Sequence, residues 1–404
     1  MLDDDGSVGV YVHVPFCERI CPYCDFAVVA ARRLEVEREA EYLEALLAEL
    51  RLRAPRLEGR RLASLYLGGG TPSLLRPGSV RRLVEATLQA FPQADGVEIT
   101  LEANPGTLER GRLPGFREAG VNRLSLGVQS FDDGILKRLG RAHAADEARE
   151  SLRAARAAGF TNLSLDLIFA APGATLAQLD RDLEEIAVAA PEHVSAYELG
   201  VEAGTPFALA ARRGQLALPD EDDAVRMFEQ VECRLEAAGL ARYEISSFAT
   251  PGRRSVHNRR YWERRPVLGL GMGAWTIEPP GPDAAHGTRC RNLRTLPAYL
   301  EPLQRGDLPR EGPPEVLDPA TARGEALFLS LRTVQGLDAV RFEREFGGSP
   351  RSFFAPVIDE VRDLGLLEER PGGDLCLTPP GRLVSDSVFE RFVTPPATLT
   401  PPTS

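Results

Sequence analysis

Long apolar runs and an orderly set of paired cysteines are both missing from this 404-residue sequence. No run approaches the roughly 20 apolar residues that a membrane-spanning helix needs. The first residues, MLDDDGSV, are acidic where a secretory signal is basic and then apolar. Three of the six cysteines, Cys233, Cys290 and Cys376, lie far apart, unlike a secreted disulfide framework. We therefore expect a protein of the reducing cytoplasm with no transmembrane segment; peripheral membrane contact stays open.

Lysine is almost absent, which limits the chemistry that the chain can perform. Only Lys137 is a lysine among 48 basic residues, so Schiff-base chemistry and a phosphate-loop lysine have one candidate between them. The net charge of −11 argues against a broad surface for a nucleic-acid backbone. We therefore expect no nucleic-acid partner.

Six β-rich runs recur in the first half of the chain, and a helix-length segment follows each of them. The runs cover residues 10–14, 62–67, 97–101, 123–128, 163–168 and 193–199. Strands that alternate with helices pair in parallel through right-handed crossovers. The sequence predicts an α/β fold in which residues 1–250 form a partial (β/α)6 barrel. We favour a barrel over an open sheet because each informative motif follows a strand, where barrels build their sites.

The rest of the chain changes character. Residues 251–318 contain the motif HNRRYW and a connection, and residues 319–394 predict three helices followed by two short strands. This order resembles a small, mostly helical, winged-helix-like domain, which serves more often as a lid or scaffold than as a DNA reader. The tail, 395–404, is rich in Pro and Thr and is predicted to be disordered.

Three cysteines fall within eight residues, directly after the first predicted strand. Cys17, Cys21 and Cys24 have the spacing C-x3-C-x2-C. A 4Fe-4S cluster ordinarily takes four cysteines, so three would leave one iron with an open position for chemistry or ligand binding. Two alternatives stay open at this point: a zinc site with His13 or Asp25 as fourth ligand, and cysteines that merely line a core.

Polar or glycine-rich segments follow the other predicted strands as well. The second strand leads into LGGGTPS, where glycines let a ligand approach the backbone and successive amides can bind an anion. Glu102 and Gln129 lie at the ends of later strands, Asp166 lies inside the apolar fifth strand, and Arg141 follows the fourth. Taken alone, these could be an ordinary turn, a solvated carboxylate and a paired buried aspartate.

The cysteine spacing also resembles that of the radical S-adenosylmethionine (SAM) superfamily, in which the open iron chelates SAM and cluster reduction cleaves it. This resemblance implies a 4Fe-4S cluster on Cys17, Cys21 and Cys24. The strings LGVQSF and GLGMGA extend the resemblance to the coproporphyrinogen III oxidase-like branch, over roughly residues 9–395. By that resemblance, the SAM-binding residues are Tyr11, Gly69, Gly70, Thr71, Glu102, Gln129, Arg141 and Asp166.

That branch contains dehydrogenases of coproporphyrinogen III and HemW-type heme chaperones. The dehydrogenases carry a further cysteine two positions after the third cluster ligand and a longer N-terminal extension; here that position is Phe26. H-N-x-x-Y-W is a hallmark of the chaperones. We therefore expect a heme chaperone with unknown heme-acceptor proteins as partners. A radical SAM dehydrogenase is the alternative, and whether the protein is an enzyme stays open.

The chemistry of HNRRYW suits a porphyrin. His257 could ligate heme iron, and Tyr261 and Trp262 offer flat apolar surface to the macrocycle. Cys290 competes with His257 as axial ligand, and a hydrogen-bonded core histidine with ordinary aromatic packing is the simpler alternative.

Overall fold

Six parallel strands form the centre of the fold, as the sequence predicted. The computed structural model describes residues 5–31 and 33–393. The strands are β1 Ser7–Val14, β2 Arg61–Gly69, β3 Gln93–Ala103, β4 Arg123–Gln129, β5 Leu163–Phe169 and β6 His193–Glu198. They pair in parallel in chain order, so their C-terminal ends lie along one edge of the sheet.

Helices cover the outside of these strands. They are α1 Val36–Arg53, α2 Pro77–Ala90, α3 Thr107–Glu118, α4 Asp133–Arg138, α5 Ala145–Ala157, α6 Leu176–Ala189, α7 Pro206–Arg212 and α8 Glu221–Ala237, with short 3-10 turns at Ala54–Leu57 and Pro72–Leu74. The strands carry apolar side chains such as Val10, Leu65 and Leu124, which are fully buried. Strands covered on both faces are apolar in this way because neither face meets water.

The sheet is larger than the sequence predicted. It has twelve strands among the described residues, adding β7 Ala241–Glu244, β8 Ser247–Ala249, β9 Val267–Leu270, β10 Trp275–Glu278, β11 Thr288–Arg291 and β12 Glu315–Val316. Strand β9 pairs in parallel with β1; β10 to β12 follow it in antiparallel order, and β8 and β7 extend the other side beyond β6. The barrel is therefore partial, and both of its sides continue into short antiparallel strands.

A second hydrophobic core lies in the C-terminal part. The elements around it are α11 Pro319–Leu331, α12 Ala339–Phe346, α13 Pro350–Asp363, α14 Pro379–Leu383 and α15 Ser385–Val393, with a hairpin of β13 Leu367–Glu369 and β14 Leu375–Leu377. Helix α9 Val256–Trp262 precedes them, and α10 Leu296–Gln304 packs against the first core. Leu327, Ile358 and Val388 are fully buried in this core. The described helices include none that is both long and apolar enough to cross a membrane. The predicted disordered tail lies outside the described residues.

Gly269 in β9 is the site of a stability prediction. A Cβ atom there would lie 2.0 Å from the carbonyl oxygen of Trp275 on β10. Gly269 is paired with β1 and Trp275 with β11, so neither backbone segment can move freely. We expect Gly269→Ala to lower the free energy of unfolding by about 3 kcal/mol or to prevent folding. Thermal denaturation followed by circular dichroism measures the change.

Gly78→Ala in α2 is the matched control, because a Cβ atom at Gly78 meets nothing within 4 Å. Alanine replaces glycine favourably in a helix, so this variant should unfold at or slightly above the native temperature. Equal melting temperatures for the two variants would contradict the prediction.

Candidate cofactor site

The three cysteines lie on one loop that closes on itself directly after β1. Two-residue strands, Phe16–Cys17 and Val29–Ala30, pair at the base of this loop. Cys17 is buried, whereas Cys21 and Cys24 are half-buried. All three line a single cavity of about 430 Å³. The loop therefore presents three thiols to one space.

These thiols need a nearby positive charge before they can bind metal as thiolates. Burial raises the pKa of Cys17 to about 11, and burial also raises the pKa of Cys24. A buried thiol becomes a thiolate when a cation compensates its charge. Arg141 supplies part of this positive charge, because its Nη1 lies 3.6 Å from the Cys21 sulfur. The irons of a cluster would supply the remaining positive charge. The loop fits a cluster held by three thiolates.

His13 does not have the geometry of a fourth ligand, because both of its ring nitrogens are engaged. Its Nε2 lies 2.8 Å from the Ala27 carbonyl oxygen, and its Nδ1 lies 3.1 Å from the Tyr11 hydroxyl. Asp25, the other alternative, is exposed. Within residues 5–31 and 33–393, no three His, Cys, Asp or Glu side chains converge on a position for a single metal ion. His13 instead anchors the end of the cysteine loop to β1.

The C-terminal strand ends supply the other walls of the same cavity. Of the eight residues predicted to bind SAM, seven line it: Gly69, Gly70, Thr71, Glu102, Gln129, Arg141 and Asp166. Tyr11 lies behind this wall, where its ring stacks on Tyr66 at a centroid distance of 6.2 Å. The parallel sheet thus brings residues from positions 17 to 166 into one space.

Glycine is required where β2 meets the cysteine loop. A Cβ atom at Gly70 would lie 2.8 Å from the Phe16 carbonyl oxygen and 2.9 Å from the Cys17 sulfur. Gly69 has a φ of +110°, and a Cβ atom there would strike the His13 ring at 2.5 Å. Both residues keep the strand end close to the thiols, and the Gly70 amide fixes it there by donating to the Val14 carbonyl at 2.8 Å.

Two carboxylates reach the cavity, and each has a pKa above its ordinary value. Glu102 accepts hydrogen bonds from the Tyr66 hydroxyl at 2.7 Å and the Gly69 amide at 3.1 Å. Removal from water nevertheless raises the pKa of Glu102 to about 7. The same cause raises the pKa of Asp166 to about 6, against the opposing charge of Arg123. Both groups are suited to bind cationic or hydroxyl groups of a ligand.

Gln129 and Arg141 carry polar atoms that the protein leaves unpaired. In the described part of the chain, the buried Gln129 Oε1 and Arg141 Nε have no hydrogen-bond partner. Leaving such groups unpaired costs about 1–3 kcal/mol each. Gln129 also has a φ of 67°, a left-handed conformation that is costly for glutamine. A ligand that supplies both a donor and an acceptor, as SAM does, offsets these costs, so the cavity fits it.

Asn104 is a cavity residue that the sequence analysis missed. Its Nδ2 donates to the Thr71 hydroxyl at 3.0 Å, and its Oδ1 accepts a hydrogen bond from Arg141 Nη2. It thereby connects the ends of β2 and β3 to the arginine. Its place just after β3, in TLEANP, was a signal of the same kind that identified Glu102.

The residues predicted to bind heme lie on α9, and they divide between two surfaces. His257 is 1% exposed and faces the barrel interior. Its Nδ1 lies 2.9 Å from Ser64 Oγ and its Nε2 lies 3.3 Å from the Tyr261 hydroxyl. Burial lowers the pKa of His257 to about 3, so the ring is neutral. In this arrangement neither ring nitrogen is available to iron.

Trp262 faces the opposite way, toward the C-terminal core. It lines a cavity of about 400 Å³ between α9 and helices α11 and α12. The guanidinium of Arg332 lies 4.5 Å from its ring centroid. Cys290, the competing ligand, is buried on β11, where Arg53 Nη1 lies 3.7 Å from its sulfur. The structure thus does not bring the predicted heme residues together at one surface.

Comparison with known families agrees with this site. Residues 11–186 match the Radical SAM superfamily, and residues 317–384 match the HemN C-terminal domain. The structure is similar to that of coproporphyrinogen III oxidase (HemN) from Escherichia coli, with a TM-score of 0.81 at 24% identity over 97% of this chain and 92% of that chain. That similarity shows the fold.

Full-length relatives narrow the family further. The chain is 35% identical to heme chaperone HemW of Bacillus subtilis over 386 residues, 95% of this chain and 99% of that protein. It is 38% identical to heme chaperone HemW of Mycobacterium tuberculosis over 389 residues, 95% of this chain and 94% of that protein. With three cysteines facing the cavity and relatives matched from end to end, the chain belongs to the HemW family of the radical SAM superfamily.

Proposed function

We propose that this protein is a heme chaperone, which binds heme and delivers it to acceptor proteins, and that it carries a SAM-binding 4Fe-4S cluster. The observation that carries this proposal is the similarity, over nearly the whole chain, to proteins named heme chaperone HemW. The chain would hold the cluster through Cys17, Cys21 and Cys24. SAM would occupy the same cavity, which the cluster's open iron would face.

Within that cavity the chain's own residues would orient SAM. Gly69 and Gly70 leave room for the ligand beside the thiols, Glu102 offers a carboxylate, and the unpaired atoms of Gln129 and Arg141 offer an acceptor and a donor. We assign these groups to binding and orientation. Radical chemistry at the site belongs to the cluster and SAM when they are bound.

Phe26 supports the chaperone proposal over the dehydrogenase alternative. It stands where the dehydrogenases have a further cysteine, it lines the cofactor cavity, and 62% of its surface is exposed. Ile20, 44% exposed, lines the same cavity. A phenyl ring cannot transfer a proton, a hydrogen atom or an electron as a thiol does, so the loop lacks a group that the dehydrogenase reaction uses.

For heme, the cleft beside Trp262 supplies suitable chemistry. Arg254, Arg259 and Arg341 line it together with the indole, so an apolar ring and guanidinium groups lie within one space. That combination suits a flat macrocycle with carboxylates. His257 as axial ligand stays a prediction, and it requires α9 to give up the hydrogen bonds of His257 to Ser64 and Tyr261.

Heme titration tests the proposed function. We expect about one heme bound per chain by difference absorbance, and no protoporphyrinogen when the reconstituted protein is incubated with coproporphyrinogen III, SAM and a reductant. Trp262→Ala should weaken heme binding about tenfold, because the indole is the large apolar surface of the cleft.

The other tryptophan of the chain provides the matched control for this variant. Trp275 is 46% exposed on β10 and contacts Arg291, so Trp275→Ala should bind heme as the native protein does. A Soret band shifted in His257→Ala supports the axial-ligand prediction, and an unshifted band assigns the iron to another ligand. Robust protoporphyrinogen formation would replace the chaperone proposal with the dehydrogenase.

A further inference from the structure

The SAM-site carboxylate Glu102 is held by a side chain that the cavity itself does not include. The Tyr66 hydroxyl, from β2, donates to Glu102 Oε1 at 2.7 Å. Tyr66 is half-buried and lies inside the barrel, so its ring sits behind the carboxylate and not beside a ligand. The orientation of Glu102 therefore depends on where the Tyr66 ring is held.

His257 holds that ring. The centroids of Tyr66 and His257 are 5.0 Å apart with planes inclined by 29°, and Tyr11 stacks on both, at 6.2 Å and 6.1 Å. His257 is fixed in turn by Ser64 on β2 and by Tyr261 one helical turn later. Ser64 and Tyr66 are neighbours on the same face of β2. The hydrogen bond between Ser64 and His257 therefore holds the His257 ring beside Tyr66.

The helix that carries His257 is anchored at both ends. Glu98 Oε1, from β3, accepts hydrogen bonds from the amides of Val256 and His257 at 3.1 and 3.2 Å. At the other end, Arg332 of the C-terminal part covers Trp262, and Arg341 donates to the Glu263 carbonyl at 3.0 Å. Helix α9 therefore connects the barrel interior to the C-terminal core.

We propose that Tyr66 and His257 are positioning residues for SAM, acting through Glu102, and that α9 thereby couples the SAM cavity to the cleft against the C-terminal helices. This inference rests on the proposed SAM-binding role of Glu102 and does not depend on heme. It assigns His257 a function in the barrel interior, where its ring lies.

The pH dependence of SAM binding separates positioning from general stability. The groups that face Glu102 are Tyr66, Tyr11, Asp166, Arg123 and Tyr197. Among them only Tyr66 donates a hydrogen bond to the Glu102 carboxylate, and this bond lowers the pKa of Glu102. Without it the carboxylate takes up a proton at higher pH, so the pH at which SAM binding is half-maximal should rise.

The experiment uses cluster-loaded full-length protein and anaerobic calorimetry of SAM binding between pH 6 and pH 8.5. Tyr66→Phe removes one hydroxyl; we expect about tenfold weaker binding near neutral pH, the effect of one hydrogen bond to a charged group, and a smaller deficit at high pH. His257→Ala should move the midpoint in the same direction. His257→Phe, which keeps a ring in the stack, should restore much of the native profile.

Arg226→Ala on α8 is the control, because Arg226 is exposed, pairs with Asp223 and lines neither the cofactor cavity nor the cleft. It should leave the midpoint unchanged. A native midpoint in Tyr66→Phe overturns the inference, and a native midpoint in His257→Ala overturns its second half. Should His257→Ala fail to fold, Ser64→Ala, which removes the hydrogen bond to His257 Nδ1, takes its place and should move the midpoint in the same direction. If the Tyr66→Phe midpoint shifts but the protein does not bind heme, the proposed function is contradicted and this inference is not.

Discussion

Cys21→Ala should abolish the iron–sulfur cluster while leaving the fold intact. After anaerobic reconstitution we expect the native protein to contain one 4Fe-4S cluster with broad absorption at about 400 nm. The variant should contain almost no iron. The reason is geometric: three thiolates on one loop hold the cluster, and the loss of any of them leaves two. Cys21 is half-buried in a loop, so its removal disturbs little packing. Iron analysis, absorption and circular dichroism together measure the result.

Two other cysteines supply controls for this experiment. Cys233 is exposed on α8 and Cys290 is buried on β11, and neither lines the cofactor cavity. Cys233→Ala and Cys290→Ser should both keep the full iron content. If the Cys21→Ala protein retains its cluster, the cysteine loop does not hold the cluster. If the native protein binds one zinc in place of iron, the zinc alternative is correct.

The cavity residues could be predicted from the resemblance to the radical SAM superfamily, and they meet because parallel strands align their ends. Gly70, Glu102 and Asp166 come from segments far apart in the chain: Gly70 follows β2, Glu102 lies near the end of β3 and Asp166 lies within β5. Once the runs are recognised as parallel strands, their C-terminal ends must share one edge. The structure confirms this α/β architecture, and the strand ends do meet around the cysteine loop.

The additional strands could not be predicted in the same way. β9 has four residues, three of them Val or Leu and the fourth glycine, and its partner β1 precedes it by more than 250 residues. A segment this short has no periodicity of its own, and its pairing depends on the space left beside β1. β7 is equally short, with four residues, because the chain turns back at once to form β8.

The orientation of α9 likewise could not be predicted from the sequence. The spacing of four residues between His257 and Tyr261 puts both on one helical face, but seven residues do not indicate whether that face meets the barrel or a ligand. The deciding contacts come from elsewhere: Ser64 on β2 and Glu98 on β3 draw the first turn inward. The unpaired Gln129 oxygen and the backbone φ of 67° at that residue were likewise not predictable from the sequence.

Glu102→Gln should weaken SAM binding about ten- to a hundredfold at pH 8, because a neutral amide replaces a carboxylate that is largely withdrawn from water. The pKa of Glu102 is raised to about 7 by removal from water. In the native protein the carboxylate is therefore charged at pH 8 and increasingly protonated below pH 7, so SAM affinity should fall as the pH falls. Asp166, with its pKa raised to about 6, should add a second decrease at lower pH.

The comparison of the two proteins isolates the carboxylate from the titration of SAM itself. The amino group of SAM titrates identically with native protein and with Glu102→Gln, so the difference between the two binding curves belongs to Glu102. That difference should be large at pH 8 and should close toward pH 6, where the native residue is also uncharged. The variant should retain its cluster, because Glu102 is not a ligand of iron. Parallel binding curves across this pH range would exclude Glu102 as the titrating group, and unchanged affinity at pH 8 would remove it from the SAM site.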